Sequence, residues 1–378
     1  MSGMRTTRHA GIDLLRGIVM LLMVIDHARD YAAAPGTPGD PMDLSVVGPG
    51  LFFTRWISHF CAPVFALLMG VSVHFSARSR TPQNLSRHLA VRGLLLLLLE
   101  FTLVDWGWTW NPLWPRKFFQ VIGALACSLW GLAIFTRLGR IPTLAAGVLI
   151  VTLHNLTDGV RFPDGTALHY LWSFVHQRNV LPLFAGFEIR TSYPFLPVMG
   201  VAFLGYGLAP WIAERNRAIR SLGVGLIVAF PILRLIGYGD PHPMQFDSHL
   251  GLSAMSLLNV TKYPLSLQFI CMTVGPALLF LDWTYNRSFP RLRAVVTLGR
   301  SPLLFYVAHL WLLHAIALAG ALLAGYPAAS IHLLTQFGGR PEGFTMPLWM
   351  VFPFAALTTW MLLPVCRYWE ARRTAPVG

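Results

Sequence analysis

Charge is what this sequence has least of. Asp, Glu, Lys and Arg make up 12% of its 378 residues, about half the share found in ordinary soluble domains. Cysteines number only four, Cys61, Cys127, Cys271 and Cys366. Each lies in a different oily segment with no CxxC pair, which excludes a disulfide framework and a cysteine metal site and leaves a packing role. There is no Gly-rich phosphate loop, no zinc motif and no GxSxG elbow, and no metal is expected. The Gly-x-Gly of LGYGLAP falls inside an oily run and reads as helix packing. Periodic repeats and low-complexity tracts are also missing, and no loop is long enough to form a separate soluble domain. Residues 1–378 therefore read as a single domain.

Oil is what the sequence has in excess. Hydrophobic residues make up 55% of the chain and the mean hydropathy is +0.56. Apolar runs near the length that crosses a bilayer recur at 11–31, 51–76, 89–106, 118–136, 141–156, 194–213, 221–238, 263–283, 302–324 and 346–366. They predict an all-α polytopic membrane protein of about ten transmembrane helices. With the N-terminus cytoplasmic, eighteen Arg residues fall in inner segments and eight Lys or Arg in outer ones. That asymmetry predicts both termini inside the cell membrane. The net charge of +13 is then largely topology, and no nucleic acid is expected as a partner.

The chain is organised around Gly11–Tyr31, GIDLLRGIVMLLMVIDHARDY. Its centre is uncharged, but Asp13 and Arg16 open it and Asp26, His27, Arg29 and Asp30 close it. Ionisable groups beside hydrocarbon are expensive and mark functional sites. Histidine alone among them exchanges a proton near neutrality at its ordinary pKa. Asp30 follows His27 by three residues, on the same helix face, and is expected to orient its ring. The competing reading makes the cluster a headgroup anchor, although anchors favour Lys, Arg, Trp or Tyr.

Three other places carry candidate chemistry. The second span brings Arg55 and His59 to a depth similar to His27, as a catalytic partner or a satisfied polar residue. In the third span Glu100 is expected to pair with Arg234, and the WGWTWNPLW cluster after it reads as an interfacial belt. The loop holding Arg287, Arg291, Arg293 and Arg300 leads into LGRSPLLFYVAHLWLLHA, which contains His309 and His314. Arg300 precedes a Ser-Pro helix start, a place suited to phosphate; positive-inside bias explains the same arginines. Of the outer segments, 32–50 is turn-rich with Asp40 and Asp43. The longest, 157–193, has an LWSFVHQRNVLPLF core expected to form a re-entrant or interfacial helix. A third, 239–262, contributes His242, Asp247, His249 and Lys262.

The stretches GIDLLRGIVMLLMVIDHARDY, RWISHFCAPVFALLMGVS, YPFLPVMGVAFLGYGLAP, TKYPLSLQFICMTVGPALL and LGRSPLLFYVAHLWLLH, in that order, resemble the heparan-alpha-glucosaminide N-acetyltransferase catalytic-domain family. The first is also similar to membrane acyltransferases that O-acylate surface polysaccharides, whose catalytic histidine maps onto His27. The resemblance implies a multi-pass acyltransferase moving an acetyl group from cytosolic acetyl-CoA to a sugar beyond the membrane. The lysosomal enzyme's pattern places its active histidine in the loop after this helix, whereas residues 32–50 contain none, so the resemblance speaks to the reaction more than to the acceptor.

On this reading His27 is the general base, with Asp26, Asp30 and His59 as further catalytic candidates. Candidate donor-binding residues are Arg16, Arg291, Arg300, Lys262, Tyr263 and His309. Lys262 and Tyr263, with His59, line the point where acyl-CoA and a saccharide or lipid-linked acceptor meet. The rival is a permease for a polar solute, which discontinuous helices also suit. Self-association is left open.

Overall fold

The computed structural model describes residues 10–32 and 42–374; Arg5, Arg8 and Asp40 lie outside the described residues. Helix α1 (Ala10–Ala32) is followed by α2 (Pro49–Trp56) and α3 (Cys61–Ala77), which a 3-10 turn over Ile57–Phe60 joins into one rod. Helix α4 (Pro82–Leu99) runs through a π turn at Glu100–Val104 into α5 (Asp105–Thr109). Strand β1 (Arg116–Phe119), α6 (Val121–Phe135), α7 (Arg140–Leu153) and α8 (Ala167–Val175) come next, then β2 (Val180–Pro182) and β3 (Glu188–Thr191). The remainder is α9 (Phe195–Ala213), α10 (Arg217–Ile236), α11 (Leu250–Leu258), α12 (Leu267–Thr284), α13 (Arg293–Arg300), α14 (Pro302–Leu323) and α15 (Val351–Thr374).

Among the described residues, seven helical rods are long and apolar enough to cross a membrane: Pro49–Ala77, Val121–Leu138, Phe195–Ala213, Arg217–Ile236, Leu267–Thr284, Pro302–Leu323 and Leu348–Arg373. The molecule is thus a mostly helical, multi-pass membrane protein. The other three expected spans also form helices, but each falls short for a physical reason. Helix α1 carries charge at both ends, α4 begins on a polar first half, and α7 has only 14 residues.

Helix α1 packs against α3, α12, α13, α14 and α15, so its two charged ends are enclosed by protein. Close approach is bought with glycine. A Cβ at Gly17 would strike the Val295 carbonyl on α13, and one at Gly299 the Asp13 carbonyl on α1. Helices α3 and α9 meet in the same way, Gly70 against the backbone of Ala202 and Tyr206, and Gly205 against Leu67. Gly70→Val should therefore lower stability in detergent by about 1–3 kcal/mol through overpacking. Gly225→Ala, where a Cβ meets nothing within 4 Å, should leave the unfolding midpoint unchanged; equal behaviour of the two variants would contradict this packing.

A small sheet, in strand order β1-β3-β2, was not expected from the sequence. β1 pairs with β3 in parallel and β2 with β3 antiparallel, with Phe118 opposite Arg190 and Val180 also opposite Arg190. The segment expected as one re-entrant helix divides instead into α8, a turn at His176–Asn179, and β2. This sheet lies over the His27 end of α1 and carries Phe118, Arg178 and Arg190 to it.

Candidate functional site at the end of the first helix

The last turns of α1 close one side of a cavity of about 600 Å³. Asp26, His27 and Asp30 line it from α1, and Arg55 and Cys61 from the α2–α3 rod. Trp108, Tyr193, Lys262, Tyr263 and Tyr306 complete it from four other segments. The sequence therefore assembles this site from residues as far apart as Asp26 and Tyr306, 280 positions along the chain.

His27 is held by another histidine. Its Nδ1 lies 2.7 Å from Nε2 of His309, the rings are within 9° of parallel, and His309 Nδ1 is 2.9 Å from the Phe305 carbonyl. A carbonyl only accepts, so His309 Nδ1 carries the hydrogen and its Nε2 must accept. His27 Nδ1 then donates, which leaves the lone pair on His27 Nε2. The ring of Trp108 stands edge-on to His27 at 4.9 Å. Its indole N–H is buried without a partner.

The acidic neighbours do other work. Asp26 accepts from Arg29 at 2.9 Å and from Arg55 at 2.6 Å, with Lys262 at 3.9 Å. Asp30 pairs with Arg29 at 2.6 Å. Arg55 also donates to the Tyr263 hydroxyl at 3.0 Å, and that hydroxyl lies 3.3 Å from Tyr193. These carboxylates build a charged scaffold around His27; the side chain bonded to its ring is His309, where Asp30 was expected. Helix spacing gave Asp30 the right face, but a guanidinium one residue away claims it.

His59 is buried, with Nδ1 3.2 Å from the Arg55 carbonyl and Nε2 unpaired. It faces a second cavity of about 700 Å³, beside the first, and not the His27 cavity. Arg55, Arg178, Lys262 and Tyr263 form the wall between the two. A third cavity, about 280 Å³ and mostly apolar, runs from Arg16, Ser72, His88 and Arg92 to Phe65, Val121 and Tyr306. Those last three side chains also line the His27 cavity, so the two adjoin along α1. From Arg16 to His27 the helix rises about 16 Å.

Residues 8–239 match the family described as heparan-alpha-glucosaminide N-acetyltransferase, catalytic. The chain belongs to that family. No curated protein matches it. Within this acetyltransferase family stretch lie His27, Arg55, Trp108, Arg178 and Arg190; Lys262, Tyr263, Tyr306 and His309 lie beyond it.

The expected donor-binding residues divide. Arg300 is committed to Asp13 at 3.1 Å and to Glu370. Arg16 bonds Asp13 at 3.1 Å, the Gly299 carbonyl and Ser72, while still lining the third cavity. Arg291 is an exposed residue of a 3-10 turn. His309 is fully buried behind His27. Glu100 accepts from the backbone N–H of Gln120, and Arg234 is held by the carbonyls of His242, Ser256 and Asn259, so the expected ion pair between them is not made. His314 is likewise sequestered, between the carbonyls of Gly107 and Gly338. Sequence reasoning missed Trp108, Tyr306, Arg178 and Arg190. Trp108 sits in a cluster that looks like a membrane belt, and the others lacked any local signal.

Proposed function

We propose that this chain transfers an acyl group, acetyl in keeping with its family, from acyl-CoA to an amine or hydroxyl of an extracytoplasmic sugar. The observation that carries this reading is the His27–His309 hydrogen bond in the wall of one cavity with a second, apolar cavity adjoining it. His27 Nε2 takes the proton from the acceptor N–H or O–H as that atom attacks the thioester carbonyl. The carbonyl oxygen becomes an oxyanion facing the Tyr306 hydroxyl, whose residue lines both cavities, and the indole N–H of Trp108 in the His27 cavity. The C–S bond then breaks, and the departing thiolate takes the proton from His27. One new acyl bond forms, one thioester is lost, and the histidine pair ends as it began.

In this reading the N-terminus and the Asp13 end of α1 are cytoplasmic, the chain crosses the cell membrane about ten times, and the C-terminus is inside. The donor's thin pantetheine arm occupies the 280 Å³ cavity. Its phosphates meet Arg92, His88 and Arg16 at the mouth, where the charges of Arg80 and Arg373 also bear on Arg92. Arg300 braces α1 against α13 and α15. Arg92→Ala should accordingly raise the KM for acetyl-CoA about tenfold or more, the worth of one charged hydrogen bond to phosphate. Arg300→Ala should act on folded yield instead. A normal donor KM in well-folded Arg92→Ala would remove the donor from that mouth.

The deciding experiment is transfer of labelled acetyl from acetyl-CoA to an amino sugar by the purified protein. Vesicle uptake of a polar solute with no acyl transfer would make the chain a permease.

A further inference from the structure

The long connection between α14 and α15 reaches the His27 cavity at a single described residue, Phe337. Its ring lines the cavity and is yet 38% exposed, so it stands where the cavity meets solvent. It lies edge-on to Phe118 at 5.7 Å and to Trp114 at 5.9 Å. Phe118 belongs to β1 and lines the same cavity, so this contact joins the connection to the small sheet at the cavity rim.

The residues after Phe337 are fixed. Gly338 and Gly339 are buried and take left-handed backbone, with φ of +68° and +62°, which glycine adopts without steric cost. The Gly338 carbonyl lies 2.8 Å from His314 Nε2, and a Cβ at Gly339 would strike Leu333. Arg340 then donates to the carbonyls of Asp30 and Tyr31 at 3.0 and 2.8 Å, closing the C-terminal end of α1. The chain just beyond Phe337 is thus anchored to the helix that carries His27. The Phe337 ring itself is held by edge-on ring contacts and no hydrogen bond, and it can turn about its own side-chain bonds while that anchor stays put.

We propose that Phe337 is a gate on the His27 cavity, closed in this structure. Turned inward against Phe118 and Trp114, the ring keeps water from the base; turned outward, it admits the acceptor and releases the product. A base that can take a proton from a sugar hydroxyl can take one from water. The water oxygen would then bond to the thioester carbonyl, the C–S bond would break, and the thiolate would collect the proton through His27, giving acetate and free CoA thiol. The purpose of the gate rests on the acyl-transfer reading; its motion does not, and the test separates the two.

Cys61 lines the same cavity, whereas Cys271 and Cys366 are buried elsewhere. The full chain in detergent micelles is treated with a water-soluble methanethiosulfonate, and modification of each cysteine is followed by mass spectrometry. Hydrolysis of acetyl-CoA without acceptor and acetylation of an amino sugar are measured on the same proteins. Phe337→Ala should speed modification of Cys61 by about tenfold, the combined worth of two ring contacts, with Cys271 and Cys366 unchanged. Phe337→Trp, with a larger ring at the rim, should slow it, which keeps the test alive if the smaller side chain harms folding. The ratio of hydrolysis to acetylation should rise in Phe337→Ala by a similar factor. A Cys61 rate unmoved by either substitution overturns the gate, and so does a rise shared by all three cysteines, which would mark loosened packing. An unchanged hydrolysis ratio in an acetylating protein with a faster Cys61 overturns the water-excluding role. Faster Cys61 modification in a chain that never consumes acetyl-CoA keeps the gate and rejects acyl transfer; sugar acetylation with an unmoved Cys61 rate does the reverse.

Discussion

His27→Ala is expected to lose about 10²–10⁴-fold in kcat while the protein still inserts and still binds acyl-CoA. The variant removes the lone pair that faces the cavity and leaves the adjoining apolar cavity, proposed for the donor, intact. The acidic limb of the pH–rate profile should disappear with it, since that limb reports protonation of the base. His309 touches His27 and not the substrate, so it is a positioning residue. His309→Phe should lose less than His27→Ala and should keep an acidic limb at an altered pH, because His27 would then choose its own tautomer. His309→Gln should recover part of the rate, since a side-chain carbonyl can still accept from His27 Nδ1. If His27→Ala retains more than about half of wild-type turnover, the base lies elsewhere.

Asp26→Ala should be the most destabilising single change at this end of α1, by about 3–5 kcal/mol, because it leaves buried cations without their counter-charge. Arg29, Arg55 and Lys262 all converge on this carboxylate. Asp26→Asn should cost less, since its amide oxygen keeps the hydrogen bond to one guanidinium while the charge and the second acceptor are lost. Unfolding in detergent, followed by loss of bound acyl-CoA or by light scattering, measures both. A fully stable Asp26→Ala protein without activity would instead place Asp26 in the chemistry itself.

How much of this was legible in the sequence depends on distance along the chain. That the charged end of α1 needs partners could be read directly, because an Asp-His pair at the end of an oily helix is costly to leave alone. The family was legible too, from ordered stretches running over most of the chain. His309 was visible as a histidine in a span, but its contact lies 282 positions away, and no local pattern encodes that. Asp30 shows the opposite error: the i, i+3 spacing was right, and competition from Arg29 decided the outcome. Arg300 was read as either a phosphate contact at a helix start or positive-inside bias; Asp13 and Glu370, both far from it in sequence, pair with it. The sheet escaped notice because its strands are three and four residues long, too short for alternation to show. Its missing signal hid Arg178 and Arg190, which bring most of the unpaired positive charge to the site.

The pairing of α1 with α14 also has a consequence in time. Membrane helices leave the ribosome in chain order, so His27 is inserted among the first residues and its partner among the last. Until Pro302–Leu323 is in place, His27 has nothing to fix which of its nitrogens holds the proton. A nascent chain can therefore occupy the bilayer with most of its bundle assembled and still lack the His27–His309 pair. Arrival of the penultimate long helix closes that interval, so under the acyl-transfer proposal the site is complete only near the end of synthesis.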